Sequence, residues 1–484
     1  MVMATSCSDF LKEDPKTFIS PANYYTNATQ METAANGLYE GLGTLEQGAI
    51  VFGSMPLHFL EYMTGYVERK CTNLNQANEA LFLRVTEDNY LTGTIWTNSY
   101  VSIENCNSLI AGIEASAADV AEAVKNQYLG EGYFFRAYYY FNLVRLFGPV
   151  PLKITPTTGL ADSKLPLTDE ATVFAQIASD LETAEVLLTD WVAGGRIGKG
   201  AAKSLLADVY LTMAGNPVND ATYYKKAYDK ALEVVNSGKY YLNDSFEAAR
   251  AAFNKIDGGE YILSREHLID VNESAVHGQF IYYDPAATSY VSFNGSAGAA
   301  EAPAQEFYDS YAAGDLRVAE QGYYYTHYPA QDGSGEIEFK YPTVFKYWDK
   351  DAVNSGKSAV NFPLIRYTDV LLTLAEAACA GGSTADPAAV KAYVDVRSRA
   401  LPGFTTETVS FDDVMKERCW EECFEGVLWF DMVRTRKAFD TATGKVVDLI
   451  GYKAPAHDGN AFAEKDILMP YPVSEVRLNP NLKR

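Results

Sequence analysis

The chain has 484 residues, with 40 Lys and Arg against 63 Asp and Glu, so its formal net charge is −23. Apolar residues make up 48% and charged residues 21%, which is typical of a folded protein and excludes disorder over most of the chain. The acidity argues against a nucleic-acid binder, because the phosphate backbone requires a basic surface. No run of about 18 to 20 apolar residues is present, so we expect no transmembrane helix.

The first residues carry a candidate lipid-attachment sequence. Small residues, Ala4, Thr5 and Ser6, precede Cys7, and a polar stretch follows, which is the order at the end of a bacterial lipoprotein signal. The apolar segment of such a signal is missing, since only six residues precede Cys7. Either the start is truncated or the likeness is accidental. In the first case Cys7 carries lipid, and residues 1–20 tether the protein to a membrane.

Helical periodicity dominates the first two-thirds of the chain. Residues 29–42 carry apolar side chains three and four positions apart, which predicts a helix with one buried stripe. Thr86 is the predicted N-cap of the next helix, whose apolar face includes Trp96. Residues 119–147 predict a longer helix, rich in aromatic residues, that Gly148 ends.

Two further predicted helices form a pair. Residues 199–213 and 221–237 both carry alanines at close steps, and Gly215 lies in the break between them. Small residues let two helices approach closely, and a period of about 34 residues with alternating small and aromatic positions is typical of tetratricopeptide-like pairs. Because a single repeat cannot bury its own apolar face, we expect three or four such pairs to stack.

The pattern changes between about 240 and 350, where Gly, Ser, Asn and Asp increase and short β-like runs appear. Residues 280–348 contain 11 Tyr, 5 Phe and 1 Trp. Helical periodicity returns from 364 onward. The predicted fold class is therefore mainly α, with tetratricopeptide-like helix pairs forming a scaffold and an irregular, loop-rich region with short β pieces packed on it. The scaffold is expected mainly in 21–240 and 364–440, and the ligand-binding part in about 240–363.

The sequence lacks the familiar motifs of several catalytic sites. The five histidines show no HExxH spacing, no GxSxG sequence is present, and the IGKG stretch at 197–200 lacks the other residues of a phosphate-binding loop. We therefore expect no enzyme, no metal site and no cofactor. The many Asp and Asn residues form no recognisable Ca²⁺ loop. Carboxylates paired only in space, as in a glycosidase, stay open as an alternative.

Features for ligand binding are stronger, because aromatic rings on loops can stack on the apolar face of a sugar while polar neighbours bond its hydroxyl groups. One candidate region is the tyrosine-rich stretch, and the other is the polar stretch 62–80. The alternative for each ring is core packing, which is the simpler interpretation of Trp96. The predicted ligand-binding residues are Tyr66, Arg69, Asn73, Trp96, Tyr290, Tyr324, Tyr325 and Tyr328. We expect replacement of both Tyr324 and Tyr325 by Ala to abolish binding without unfolding the protein.

Several segments in the right order resemble the SusD/RagB family of outer-membrane nutrient-binding lipoproteins. They are IWTNSYVSIENCNSLI at 95–110, FFRAYYYFNLVRLFGPVPL at 134–152, NFPLIRYTDVLLTLAEA at 361–377, KERCWEECFEGVLWFDMVRTRK at 416–437 and PVSEVRLNPNLKR at 472–484. The resemblance runs from Cys7 to Arg484 and implies a single SusD-like domain over 21–484. Cys419 and Cys423 stand where the family does not usually have cysteine.

The resemblance implies a lipid-anchored protein that faces the cell exterior from the outer membrane of a Gram-negative bacterium. Its implied partner is a SusC-like, TonB-dependent transporter, over which the binding protein closes like a lid. The leading hypothesis is an oligosaccharide-binding protein that captures nutrient for that transporter. A peptide-binding import protein of the same family and a purely protein-binding helical scaffold are the alternatives.

Two arginines in apolar stretches point to the scaffold and not to the ligand site. Arg366 and Arg434 each require a carboxylate partner if they are buried. The candidate partners are Glu376, Glu417, Glu425 and Asp431. We expect these residues to determine the fold, whereas ligand choice lies in the loops.

Overall fold

The computed structural model describes residues 24–43, 56–70, 78–159, 162, 164–191, 195–253, 259–282, 301–329, 333–355 and 357–483. Helices dominate this part of the chain and the strands are short, so the predicted mainly α class is confirmed. Within the same residues, no helix is both long and apolar enough to cross a membrane.

The helices α1 to α8 belong to the first half of the chain. They occupy Ala28–Leu38, Pro56–Thr64, Asn78–Leu81, Tyr90–Glu114, Glu122–Phe147, Glu170–Leu187, Lys199–Ala214 and Thr222–Asn236. Helices α9 to α17 occupy Phe246–Ala251, Val276–Gln279, Gln305–Asp309, Ala352–Ser355, Tyr367–Ala380, Pro387–Ala400, Phe411–Glu421, Leu428–Thr435 and Val473–Leu478. Two 3-10 turns lie at Tyr39–Leu42 and Glu464–Asp466.

The long helices form a continuous scaffold in which neighbours in sequence are neighbours in space. Helix α4 packs on α5, α5 on α6, α6 on α7 and α7 on α8, and α13 then joins α8 to α14. Ala202 and Ala231 are fully buried between their neighbours. Small side chains at these positions allow the close approach that the sequence pattern predicts.

The helix ends agree only partly with the predicted signals. Gly148 follows α5 with a φ of 69°, a left-handed conformation that glycine adopts without strain. Helix α4, however, begins after Asn89, whose side chain accepts hydrogen bonds from the backbone N–H groups of Leu91 and Thr92. The predicted N-cap Thr86 is wrong, because its carbonyl accepts the N–H of Asn89 in the turn before the helix.

The described strands form four antiparallel pairs. Strands β1 to β8 occupy Val67–Arg69, Tyr261–Arg265, Glu301–Pro303, Tyr324–Pro329, Glu336–Val344, Phe362–Arg366, Lys437–Asp440 and Lys445–Asp448. The pairs are β1 with β3, β2 with β6, β4 with β5, and β7 with β8. In β4–β5, Tyr325 lies opposite Thr343 and His327 opposite Glu338, so the register shifts by a bulge between the two pairs.

Buried arginine–carboxylate contacts hold the C-terminal scaffold helices together. Arg434 donates to Glu376 at 2.7 Å and to Asp431 at 2.8 Å, and Arg366 donates to Glu425 at 2.7 Å. The expected pairing is confirmed for Glu376, Glu425 and Asp431. The candidate Glu417 is wrong as their partner, because it accepts hydrogen bonds from Arg317 and Arg397 instead. Arg418 also donates to Glu376 at 3.1 Å. Burial alone would raise the pKa of Glu376, but the two guanidinium groups hold it below its ordinary value.

We expect Glu376→Gln to lower the free energy of unfolding by about 3–5 kcal/mol, because it leaves two buried guanidinium groups without their shared charge partner. Urea denaturation measures the change. Asp395→Asn is the matched control, since Asp395 pairs with Lys391 on the protein surface and its loss should leave stability nearly unchanged. Equal midpoints for the two variants would contradict the structural role of Glu376.

Candidate functional site

Two of the predicted ligand-binding rings, Tyr66 and Trp96, are core residues. Trp96 is 3% exposed, and Phe147 and Tyr471 pack edge-on against its ring with centroid distances of 5.1 and 5.6 Å. Tyr66 is 1% exposed and stacks on Phe307 at 5.1 Å. The prediction that these two rings are presented to a ligand is wrong, because other side chains already cover them.

Tyr324 and Tyr325 are also buried, with 1% and 0% exposure. The Tyr324 hydroxyl lies 3.0 Å from that of Tyr311, and its ring packs against Phe424. Tyr325 packs edge-on against Phe339 at 4.9 Å. Both rings are part of the core on which the hairpin packs. The prediction that they contact a ligand is therefore also wrong.

The other predicted residues have mixed outcomes. Tyr328 is partly exposed at the end of β4. Arg69 is partly exposed in β1, and its guanidinium donates to the side-chain oxygen of Asn78 at 3.0 Å. Asn73, Tyr290 and Cys7 lie outside the described residues.

The hairpin β4–β5 and the segment that follows it nevertheless present partly exposed rings. We call these rings the aromatic face and define it as Tyr328, Tyr341 and Trp348. Tyr328 lies 5.0 Å from Trp348 between ring centroids. The ammonium group of Lys70, from the end of β1, lies 4.9 Å from the centre of the Tyr341 ring. The face therefore combines apolar ring surface with a cation that can donate hydrogen bonds.

A buried aromatic layer supports the aromatic face. Tyr282 stacks on Phe339 at 4.0 Å with only 5° between the ring planes, and Trp348 stacks on Phe345 at 5.3 Å. Tyr325 lies between these groups, 5.4 Å from Trp348. Because the supporting rings are fixed by packing, the exposed rings are held in position before any ligand arrives.

Sequence reasoning missed Tyr341 and Trp348, although a signal for the first was present. In strand β5, Ile337, Phe339 and Tyr341 alternate with polar residues, so they share one face of the hairpin. The register places Tyr328 opposite Ile337 on that same face. The alternation of apolar and polar residues over 336–341 therefore identifies Tyr341, whereas the number of tyrosines in the region does not.

A buried group of two glutamates and a histidine connects helix α2 with strand β3. Glu301, His58 and Glu61 are almost fully buried, and His58 Nδ1 lies 3.0 Å from a carboxylate oxygen of Glu301. The Glu61 carboxyl accepts the backbone N–H of Gly426 at 2.6 Å. Burial raises the pKa of Glu61 to about 8. Within the described residues, no cluster of His, Cys, Asp and Glu is arranged to hold a metal ion.

We expect Tyr324→Ala and Tyr325→Ala each to lower the free energy of unfolding by about 3–5 kcal/mol, because each removes a fully buried ring. Urea denaturation of both variants measures the loss. Tyr328→Ala is the control, since its partly exposed ring should contribute far less. A double Tyr324, Tyr325 variant with an unchanged midpoint would contradict the placement of these rings in the core.

The buried Glu61 predicts a pH-dependent stability. The folded protein keeps a proton on Glu61 that the unfolded chain releases, so the free energy of unfolding should fall as the pH rises from about 5 to about 8. Glu61→Gln cannot titrate and should flatten this part of the profile. Denaturation at several pH values compares the two proteins, with exposed Glu407→Gln as a control that keeps the slope. Identical slopes for Glu61→Gln and the unmodified protein would exclude Glu61 as the titrating group.

Comparison with known proteins gives consistent matches over the whole fold. A family model described as the SusD family matches residues 189–484, and one described as "Starch-binding associating with outer membrane" matches residues 26–211. A SusD-like protein of Bacteroides ovatus is 27% identical, over 99% of this chain and 95% of its own length.

Solved structures agree with these matches. A SusD superfamily protein of Parabacteroides distasonis has a TM-score of 0.86 and 29% identity, over 94% of this chain and 98% of its own. Surface glycan-binding protein A of Bacteroides uniformis has a TM-score of 0.75 and 22% identity, over 94% and 99% of the two chains, and so shares the fold. The chain belongs to the SusD family.

Proposed function

We propose that this protein binds neutral oligosaccharides at the cell surface and delivers them to a transporter. The observation that carries the proposal is the aromatic face, where Tyr328, Tyr341 and Trp348 are partly exposed beside Lys70. Membership of the SusD family supports it, as does the shared fold with a protein named as a surface glycan-binding protein. The protein binds its ligand without converting it.

The aromatic face suits a sugar because a pyranose ring has an apolar face of C–H groups and an edge of hydroxyl groups. The C–H face packs on the rings of Tyr341 and Trp348. Lys70 and Arg69, which follow each other at the end of β1, donate hydrogen bonds to the hydroxyl groups. Asn73 and Tyr290 remain sequence-based members of the same proposed site.

The charge of the protein favours neutral ligands. The net charge of −23 repels anionic glycans over distances set by the ionic strength. Beside the aromatic face, Lys70 is paired with Glu68, which weakens the attraction of its ammonium group for an acidic sugar. We therefore expect uncharged glucans and related oligosaccharides to bind better than uronic acid polymers.

The proposal includes an anchor and a partner. A lipid on Cys7 holds the protein on the outer face of the outer membrane, and a SusC-like, TonB-dependent transporter accepts the glycan. The family description "Starch-binding associating with outer membrane" supports this placement.

We expect Tyr341→Ala to weaken binding of the preferred glycan about tenfold, because it removes the ring on which the sugar stacks. Tyr341→Phe keeps the ring and should retain most of the affinity. Isothermal titration calorimetry against maltohexaose, laminarihexaose, cellohexaose and a peptide library measures both effects.

The control variant is Tyr241→Ala, which removes an exposed tyrosine outside the aromatic face. It should bind like the unmodified protein. Binding to peptides and to none of the glycans would overturn the proposed ligand class. Glycan binding that Tyr341→Ala and Trp348→Ala both leave unchanged would instead overturn the assignment of the aromatic face.

A further inference from the structure

A cleft of about 350 Å³, separate from the aromatic face, lies between the 3-10 turn Tyr39–Leu42, the loop around Arg196 and strand β2. Its walls include Asn36, Tyr39, Trp191, Arg196 and Glu266, together with Ser264 of β2. None of the three rings of the aromatic face contributes to it. Its volume is in the range of sites that hold small ligands.

Hydrogen bonds hold the walls of this cleft in place. Arg196 donates two hydrogen bonds to Glu131, at 2.8 and 2.7 Å, and a third to the side-chain oxygen of Asn36 at 2.6 Å. The Tyr39 hydroxyl accepts the backbone N–H of Ile197 at 2.8 Å. A preformed wall of this kind loses little conformational entropy when a ligand binds.

Trp191 gives the cleft a partly exposed ring, and the ammonium group of Lys203 lies 5.6 Å from the centre of that ring. The chain has five tryptophans, and three of them, Trp96, Trp420 and Trp429, are at most 9% exposed. The two partly exposed ones are Trp348 in the aromatic face and Trp191 in the cleft. The backbone carbonyl of Trp191 accepts the hydroxyl of Tyr240 at 2.8 Å, which fixes the residue at the edge of the cleft.

The charges of the cleft specify the chemistry of a ligand. Glu131 neutralises Arg196, so this guanidinium does not act as a free anion-binding group. The Glu266 carboxylate lines the cleft and has no hydrogen bond or ion pair with any of the described residues. Glu266 is an exposed residue, and partial desolvation of its carboxyl raises its pKa above the ordinary value. An acceptor of this kind favours a ligand that brings hydroxyl donors. The guanidinium of Arg265, which also lines the cleft, donates hydrogen bonds to the backbone carbonyl of Glu40 at 3.3 Å and to the side-chain oxygen of Asn272 at 3.4 Å.

We propose that the cleft is a second carbohydrate site. One pyranose unit stacks on the ring of Trp191, and two of its hydroxyl groups donate hydrogen bonds to the carboxylate of Glu266. The ring offers an apolar surface to the C–H face of a sugar, and the carboxylate offers acceptors to its hydroxyl groups. The ligand class is argued from the cleft itself, whereas its use in nutrient capture rests on the function proposed above.

The test uses the full chain labelled with 5-fluorotryptophan, because each tryptophan then gives its own ¹⁹F resonance. Trp191→Phe and Trp348→Phe assign the two lines of interest. Maltose, cellobiose and laminaribiose are the neutral probes, and methylammonium is the cationic one. We expect at least one disaccharide to shift the Trp191 line saturably, and Glu266→Gln to weaken that response about tenfold. The exposed control Glu407→Gln should leave it unchanged.

The outcomes separate the two proposals. A Trp348 line that shifts while Trp191 stays fixed would refute the cleft and leave the aromatic face. A Trp191 line that shifts alone would support the cleft and count against the aromatic face. If methylammonium moves the Trp191 line and no sugar does, the proposed ligand class is wrong. If Glu266→Gln responds like the unmodified protein, the assignment of the carboxylate is wrong.

Discussion

The architecture depends on one buried carboxylate, that of Glu421 at the end of α15. It is fully buried and accepts hydrogen bonds from Arg399 at 2.6 Å, Arg366 at 3.1 Å and Arg317 at 3.3 Å, and from the hydroxyl of Tyr323 at 2.8 Å. Burial alone would raise the pKa of Glu421, but the surrounding guanidinium groups lower it to about 2. A charge in the core is tolerated only with this number of partners.

These partners come from segments that are distant in sequence, so the same contact connects the helical scaffold with the loop-rich part. Arg399 belongs to α14 and Arg366 ends β6, whereas Tyr323 immediately precedes β4. Once Tyr323 is fixed, the next two tyrosines enter the core and the bulge turns the strand before Tyr328. The hydrogen bond from Tyr323 to Glu421 therefore fixes the start of strand β4, which carries Tyr328 of the aromatic face.

The two proposed sites use the same physical solution in different parts of the fold. Each has one partly exposed tryptophan, fixed by packing or by its backbone, and polar groups that are held by neighbours. The net charge of −23 disfavours the approach of acidic ligands to the protein as a whole. Two sites on one rigid scaffold would engage a long glycan together, and the second contact would then form at a high effective concentration.

The sequence by itself determined the helical periodicity, the end of α5 at Gly148, the need of Arg366 and Arg434 for carboxylate partners, and the resemblance to the SusD family. These features depend on local spacing or on motifs that are continuous in the chain. The cap of α4 needed the geometry of the turn before Asn89. Only the tertiary structure decided which rings face solvent, because Trp96 is covered by Tyr471 and Tyr324 by Phe424. The exposure of a side chain depends on what packs on it, and here the covering residues come from about 100 to nearly 400 positions further along the chain.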